Sequence, residues 1–201
     1  MEIRLLLISH ASTAAMRAGR FPAADSLAPL DPRGLAEIQA ARSSLSTPDH
    51  ATVLVSPAAC ARETAQALGL TAIVDAHLAD MHYGNWHGRR LADLMIEAPE
   101  KLAAWTREPD ATAPGGESFS QLVTRTGEWL EALSEQTNHV SQTNEIHNVV
   151  AVTHAPVLRA AIVSVLGAAP AVFPRIEIAP LSVIELRYSR RGWSWWPATS
   201  R

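Results

Sequence analysis

A single cysteine in 201 residues, Cys60, leaves no partner for an intramolecular disulfide. A chain without oxidative staples is expected in a reducing cytoplasm. Lysine is nearly missing, one against sixteen arginines, a bias that by itself carries no function. Charge is sparse at 18% of residues, with a net value of −3 and a pI near 6.2. That balance argues against non-specific binding to nucleic acid or to an anionic membrane, while leaving room for a local basic pocket. Long hydrophobic runs are absent too. The opening Met1-Glu2-Ile3-Arg4-Leu5-Leu6-Leu7-Ile8 is too short to span a membrane, and no small-residue cleavage site of a signal peptide follows it. No CxxC, HExxH, Walker or GxGxxG pattern occurs, so neither a cofactor nor a metal is expected.

What is present reads as an ordinary globular domain: 47% apolar residues, enough chain for one full core, and no repeat or linker. Residues 1–201 are therefore expected to form a single domain. Apolar runs at Arg4–Ile8, Thr52–Val55, Val149–Thr153 and Ser182–Tyr188 are expected to be strands, with Ala72–Val74 as a weaker fifth. Three of them are short and continuous, the pattern of strands covered on both faces. Helical spacing marks Pro32–Leu45, Ala58–Leu68, Arg89–Glu97, Pro99–Arg107, Ser118–Gln136 and Pro156–Leu166. Alternating strands and helices predict a three-layer α/β/α sandwich around a mostly parallel sheet. Ala18–Pro29 and Ala111–Gly116 read as loops, and the polar Thr137–Asn148 as an exposed surface insertion. The tail Trp193-Ser194-Trp195-Trp196 reads as an end strand packing on the body, or as a subunit contact.

In doubly wound sheets ligands bind beyond the carboxyl ends of the strands. Ser9-His10-Ala11-Ser12-Thr13 follows the first strand, Ser56-Pro57-Ala58-Ala59-Cys60 the second, and His154-Ala155-Pro156 the third long one. Two imidazoles at matched strand ends suit phosphoryl transfer. One attacks as a neutral nucleophile, the other stays protonated to stabilise the transferring oxygens, and a nearby carboxyl protonates the leaving oxygen. A single histidine at a strand end is commonly a hydrogen-bonded structural residue. Two at matched positions favour chemistry, though residue pattern alone leaves both readings open.

Six segments in order carry a resemblance over nearly the whole chain: Ser9-His10-Ala11-Ser12-Thr13, Leu30-Asp31-Pro32-Arg33-Gly34, Ser56-Pro57 through Arg62-Glu63-Thr64-Ala65, Leu78-Ala79-Asp80 through Gly84-Asn85-Trp86-His87-Gly88, Pro114-Gly115-Gly116-Glu117-Ser118 and Val152-Thr153-His154-Ala155. The chain resembles the histidine phosphatase superfamily, with the phosphoglycerate mutase-like fold. The resemblance implies a metal-independent phosphatase in which His10 accepts the phosphoryl group, His154 is the second pocket histidine and Asp80 is the acid. Asp80 stands where the family usually has Glu, one methylene longer. Thr13 falls on the family's threonine. Hydrolysis is favoured over mutase chemistry, since the chain is short. In length it is nearest the small phosphatases, such as the α-ribazole phosphate and broad-specificity branches. The partner implied is a small phosphorylated molecule and the assembly a monomer or homodimer.

The match breaks at two cations. Ser9 and Cys60 stand where the family pattern has arginines, whose bidentate forks match phosphate oxygens. Such bonds contribute about 1.5–3 kcal/mol each, so losing two costs roughly two to four orders of magnitude in rate unless something replaces them. Arg20 is the first candidate substitute, with Arg17 next and Arg89, Arg90 and Arg159 as further options. Arg62 should point away, about 200° around its helix from Cys60. Substrate contacts are expected from Ser9, Thr13, Arg20, Ser56, Cys60 and His82. His82 and His87 either add positive charge to the pocket or lie on the surface. Cys60 is either a reactive thiol at a helix N-terminus or an inert filler, and Ser9 and Ser12 are possible oxyanion donors. Besides the phosphatase, two readings stand: a catalytically impaired relative that binds a ligand or protein partner, and a pocket for a less anionic substrate.

Overall fold

The computed structural model describes residues 2–23, 29–43, 45, 47–140 and 146–197. Strand β1 (Glu2–Ser9) is its centre. Its apolar run alternates between two cores: Ile3, Leu5 and Leu7 join one cluster, Leu6 and Ile8 another. That is the consequence of a two-residue side-chain period in a strand covered on both faces. Each fully buried aliphatic side chain contributes about 1.5–3 kcal/mol.

β1 is joined by β2 (Thr52–Val55), β3 (Ile73–Val74), β4 (Ile146–Thr153), β5 (Val183–Ser189) and β6 (Gly192–Trp196) in the spatial order β3-β2-β4-β1-β5-β6. The first four of that order are mutually parallel, and β5 alone runs against its neighbours on both sides. On one face, α6 (Phe119–Val140) and α7 (Ala155–Val165) bury Trp129, Leu130, Leu158 and Ala161 against Leu5 and Leu7. On the other, α3 (Ala59–Ala67) buries Ala61 and Ala65 against Val55 and Val152, and α2 (Pro32–Ala41) lies against α3. The sandwich with a mostly parallel sheet is therefore present. A short α1 (Ala14–Arg17) follows β1, and α4 (Leu91–Glu97) with α5 (Pro99–Arg107) adds Leu94 and Leu102 to an aromatic cluster resting on α7.

Two family-like segments prove to be packing devices. Asp31 caps α2 by accepting from the Gly34 N–H at 2.9 Å, and a Cβ at Gly34 would lie 2.6 Å from the Ser12 carbonyl oxygen. Gly84 has φ +50°, and a Cβ there would lie 2.2 Å from the Pro114 oxygen. The Gly84 turn and the 114–117 loop are zipped together by Asn85 N–H to Pro114 O (2.8 Å) and Glu117 N–H to His82 O (2.7 Å).

Two expectations need correction. Thr137–Asn148 is not one loop: α6 runs on to Val140 and β4 begins at Ile146, with residues 141–145 outside the described part. The polar Ile146-His147-Asn148 segment is strand because its backbone pairs with Glu2-Ile3-Arg4, a ladder that does not need apolar side chains. Helix α2 stops at Ala41 rather than Leu45. The Trp-rich tail is strand β6, paired with β5, and Trp193 donates its Nε1–H to the Leu130 carbonyl at 3.2 Å. Among the described residues no helix is long and apolar enough to cross a membrane.

Candidate active site

β1 and β4 are adjacent and parallel, and Ser9 is in register with Thr153. The residue after each strand is a histidine, so both imidazoles emerge at the carboxyl end of the sheet, side by side. The ring centroids of His10 and His154 lie 4.9 Å apart at 71°. The His10 N–H donates to the Thr153 carbonyl at 2.9 Å, tying the two strand ends together.

Both rings are oriented from behind. His10 Nδ1 lies 2.7 Å from the Ala11 carbonyl, which only accepts, so Nδ1 carries the proton and Nε2 keeps the lone pair. His154 Nε2 lies 2.8 Å from the Ser56 Oγ. His154 Nδ1 is buried without a hydrogen-bond partner among the described residues. Asp80 Oδ2 is 3.5 Å from it, a close approach and not a hydrogen bond.

Asp80 sits in an irregular stretch held by its backbone. Arg125 on α6 donates to the carbonyls of His77, Ala79 and Asp80 at 3.0 Å each and pairs with Glu117. The Thr153 hydroxyl donates to the Leu78 carbonyl at 2.6 Å. The carboxylate itself accepts at Oδ1 from the Met81 N–H (2.8 Å) and the Tyr83 hydroxyl (3.4 Å). Though a methylene shorter than glutamate, Asp80 reaches the wall of the cavity that His10 and His154 line.

That cavity has a volume of about 260 Å³. Ser9, Thr13, Arg20 and Cys60 line it with the two histidines and Asp80, and Met16, Phe21, Trp105 and Ile178 make much of the wall apolar. Ala58 and Cys60, with Ala155 and Pro156, bring the first turns of α3 and α7 to it.

Burial governs the electrostatics. It pushes His10 down to about 4, helped by the neighbouring His154 and opposed by the Ala11 carbonyl and Asp80. Burial, then the Arg125 charge, pushes His154 down to about 3. Burial raises Asp80 to about 6 against the pull of His10, the Met81 N–H, Arg125 and Tyr83. The expectation of one protonated imidazole is therefore not met in the free pocket: at neutral pH both rings are uncharged and Asp80 is mostly ionised. Cys60 is pushed up to about 12, burial outweighing the nearby backbone N–H groups, so it is no reactive thiolate.

The other expected residues distribute as follows. Thr13 lines the cavity while capping α1, its Oγ1 accepting from the Met16 N–H at 3.2 Å. Ser56 is fully buried, is not on the cavity wall, and holds its Oγ 2.8 Å from His154 Nε2. His82 is not brought in. It is exposed, packs on His87 at 5.0 Å and borders a separate groove with Glu117 and Arg125. Ser12 is committed elsewhere, between Glu37 and Arg17. Arg20 is the one arginine on the cavity wall among the described residues, and its Nη1 donates to the Gly88 carbonyl at 3.0 Å. Arg17 is paired with Asp31, Arg89 with Glu97, and Arg159 donates to the Ile176 carbonyl, while Arg62 faces solvent as its helical position required. Tyr83, Arg125, Phe21 and Trp105 were not foreseen. Tyr83 lies inside the Leu78–Gly88 segment, a signal that was available, whereas nothing local marks Arg125, 45 residues from the carbonyl of Asp80 that it holds.

Two histidines at adjacent strand ends, a carboxylate on the wall of the same cavity and helix N-termini around it make a site of the kind that suits an anionic ligand. The profile of the histidine phosphatase superfamily (branch 1) matches residues 5–196, and the chain belongs to that family. It is 28% identical over 174 residues to phosphoserine phosphatase 1 of Hydrogenobacter thermophilus, covering 82% of this chain and 77% of that one. It is 32% identical over 127 residues, 61% of this chain, to a bifunctional protein of Mycobacterium tuberculosis, and the match spans 35% of that relative's length. The solved structure of mycobacterial glucosyl-3-phosphoglycerate phosphatase is similar in fold, with a TM-score of 0.83, 22% identity and 97% of each chain covered.

Proposed function

We propose that this chain hydrolyses a small phosphomonoester through a phosphohistidine at His10. The neutral Nε2 attacks phosphorus and the ester P–O bond breaks. Asp80, in its protonated form, delivers a proton to the leaving oxygen. As carboxylate it then takes a proton from the water that attacks phospho-His10, releasing inorganic phosphate and restoring the imidazole. His154 lies beside the transferring group, oriented by Ser56. One observation carries this reading: His10, with its Nε2 lone pair free, shares one cavity with His154 and Asp80.

The first turns of α3 and α7 offer backbone N–H groups and partial positive charge to the phosphate. They offset part of what Ser9 and Cys60 lack, and Arg20 adds a charge at the wall. The apolar side of the cavity suits an ester whose organic part is itself partly apolar. Phosphatase turnover on a panel of phosphomonoesters, wild type against His10→Ala, is the test, and equal rates for the two would sink the proposal.

The second reading, a catalytically impaired relative that retains a ligand, draws on the uncharged imidazoles and on Arg20 being bonded to Gly88. Wild type that binds no vanadate, or binds it equally well without His10 and His154, would favour it.

A further inference from the structure

We infer that the same cavity is a site for one divalent metal ion of the zinc class, held by His10, Cys60 and His154, with Asp80, whose Oδ2 lies 3.5 Å from His154 Nδ1, as the fourth ligand. The ligand atoms of His10, Cys60 and His154 all lie within 4.8 Å of one another. A tetrahedral zinc site with two nitrogens and a sulfur needs separations of about 3.4–3.6 Å, from bond lengths near 2.0–2.1 and 2.3 Å. Side-chain rotations closing roughly one ångström bring the three to bonding distance.

The His10 hydrogen bond already has the form that metal-binding imidazoles take, and His154 has it in the tautomer whose Nε2–H donates to Ser56 Oγ. Such a ring donates its second N–H to a fixed acceptor, leaving the first nitrogen for the ion. His10 does so with Nδ1 on the Ala11 carbonyl, keeping the Nε2 lone pair. His154 places Nε2 on Ser56 Oγ, and its other nitrogen, Nδ1, is buried and partnerless. That nitrogen faces Asp80 Oδ2 at 3.5 Å, while the carboxylate's two hydrogen bonds among the described residues both fall on Oδ1. In the tautomer with Nε2–H donated to Ser56, the Nδ1 lone pair and Asp80 Oδ2 repel each other unless a proton or a cation lies between them.

Charge and donor type point to the ion. The Cys60 thiol gives up its proton to solvent on binding. Thiolate, carboxylate and two neutral imidazoles then make an electrically neutral site with a dication, which suits a buried cavity. Two nitrogens, one sulfur and one oxygen favour Zn²⁺ or Co²⁺ over the oxygen-seeking Mg²⁺ and Ca²⁺. The cysteine, at a position where the family resemblance leads one to expect a phosphate-binding arginine, supplies the sulfur ligand. Metal binding uses the His10 Nε2 lone pair, so the ion and phosphoryl transfer exclude each other there. That last consequence alone rests on the proposed function.

The test is titration of the full metal-free chain with Co²⁺, read by its visible absorption and by the thiolate-to-cobalt charge-transfer band in the near ultraviolet. One Co²⁺ per chain is expected, displaced by an equimolar amount of Zn²⁺ and unaffected by excess Mg²⁺. Cys60→Ala should remove the charge-transfer band, and His10→Ala or His154→Ala should weaken binding at least about ten-fold, each with far-ultraviolet circular dichroism matching wild type. A His82→Ala, His87→Ala double variant should keep the band, separating this site from the exposed histidine pair. Absence of the band in wild type at saturating Co²⁺, or equal affinity in wild type and folded Cys60→Ala, overturns the inference. These readouts do not involve turnover, so they stand or fall separately from the phosphatase assay.

Discussion

Placing an arginine at position 60 is the most direct test of how this pocket handles charge. Cys60 is the second residue of α3, lines the cavity, and has its Sγ within 4.8 Å of a ring nitrogen of each of His10 and His154. The cavity of about 260 Å³ gives a guanidinium room to lie beside a phosphoryl group. Each charge-assisted hydrogen bond it makes contributes about 1.5–3 kcal/mol. Taking one such bond as the net gain, after the cost of burying the cation, the expected rise in kcat/KM is roughly 10- to 100-fold at about 1.4 kcal/mol per decade. The new cation also draws down the Asp80 carboxyl, now held at about 6 by burial, so the alkaline limb of the pH profile should move to lower pH. The assay is kcat/KM for Cys60→Arg and wild type on p-nitrophenyl phosphate and on the best small phosphomonoester across pH, with vanadate inhibition alongside. A folded variant with unchanged or lower kcat/KM and no tighter vanadate binding would refute the view that the missing cation limits this site.

Three further outcomes are expected. With His10 active when neutral and Asp80 active when protonated, kcat/KM should rise as pH climbs through about 4 and fall as it passes about 6; Asp80→Asn should lower kcat roughly 10²–10⁴-fold on esters with poor leaving groups and remove the alkaline limb, whereas a wild-type plateau to pH 8 would contradict the assignment. Gly84→Ala combines φ +50° with a Cβ 2.2 Å from the Pro114 oxygen, so it should cost at least about 1–3 kcal/mol, seen as a lowered urea midpoint. Stability should fall as pH drops from about 6 to about 4. The two depressed histidines bind protons only in the unfolded chain over that range, while the raised Asp80 binds one in the folded chain. The net of roughly one proton corresponds to about 1.4 kcal/mol per pH unit, measurable by urea denaturation at each pH, and a His10→Ala, His154→Ala double variant should reverse the sign of this dependence, since the raised Asp80 then binds its proton in the folded chain with no histidine uptake in the unfolded chain to oppose it.

Much of this protein is local enough to read from residue order alone. Continuous apolar runs mark strands covered on both faces, and the periodic stretches Ala58–Leu68 and Pro99–Arg107 fall within a residue of α3 and α5, because burial pattern and helix period are properties of neighbouring residues. That His10 and His154 stand at strand ends was legible for the same reason. Polar segments that become regular through distant partners, such as Ile146–Asn148 pairing with β1, were not legible, since the hydrogen bonds that shape them come from residues far away in the chain.

The site divides in the same way. The order of motifs and the resemblance it carries pointed to His10, His154 and Asp80 as the candidate chemical groups, and to Ser9 and Cys60 at positions where that resemblance leads one to expect arginines. Only the tertiary structure decided their state. Burial leaves both imidazoles neutral, Ser56 lies against the His154 ring off the cavity wall, and His82 borders another groove. It also brings the Cys60 sulfur to the two histidines. Distance, desolvation and the direction of a lone pair depend on how β1, β4 and α3 pack together, and no stretch of neighbouring residues contains that information.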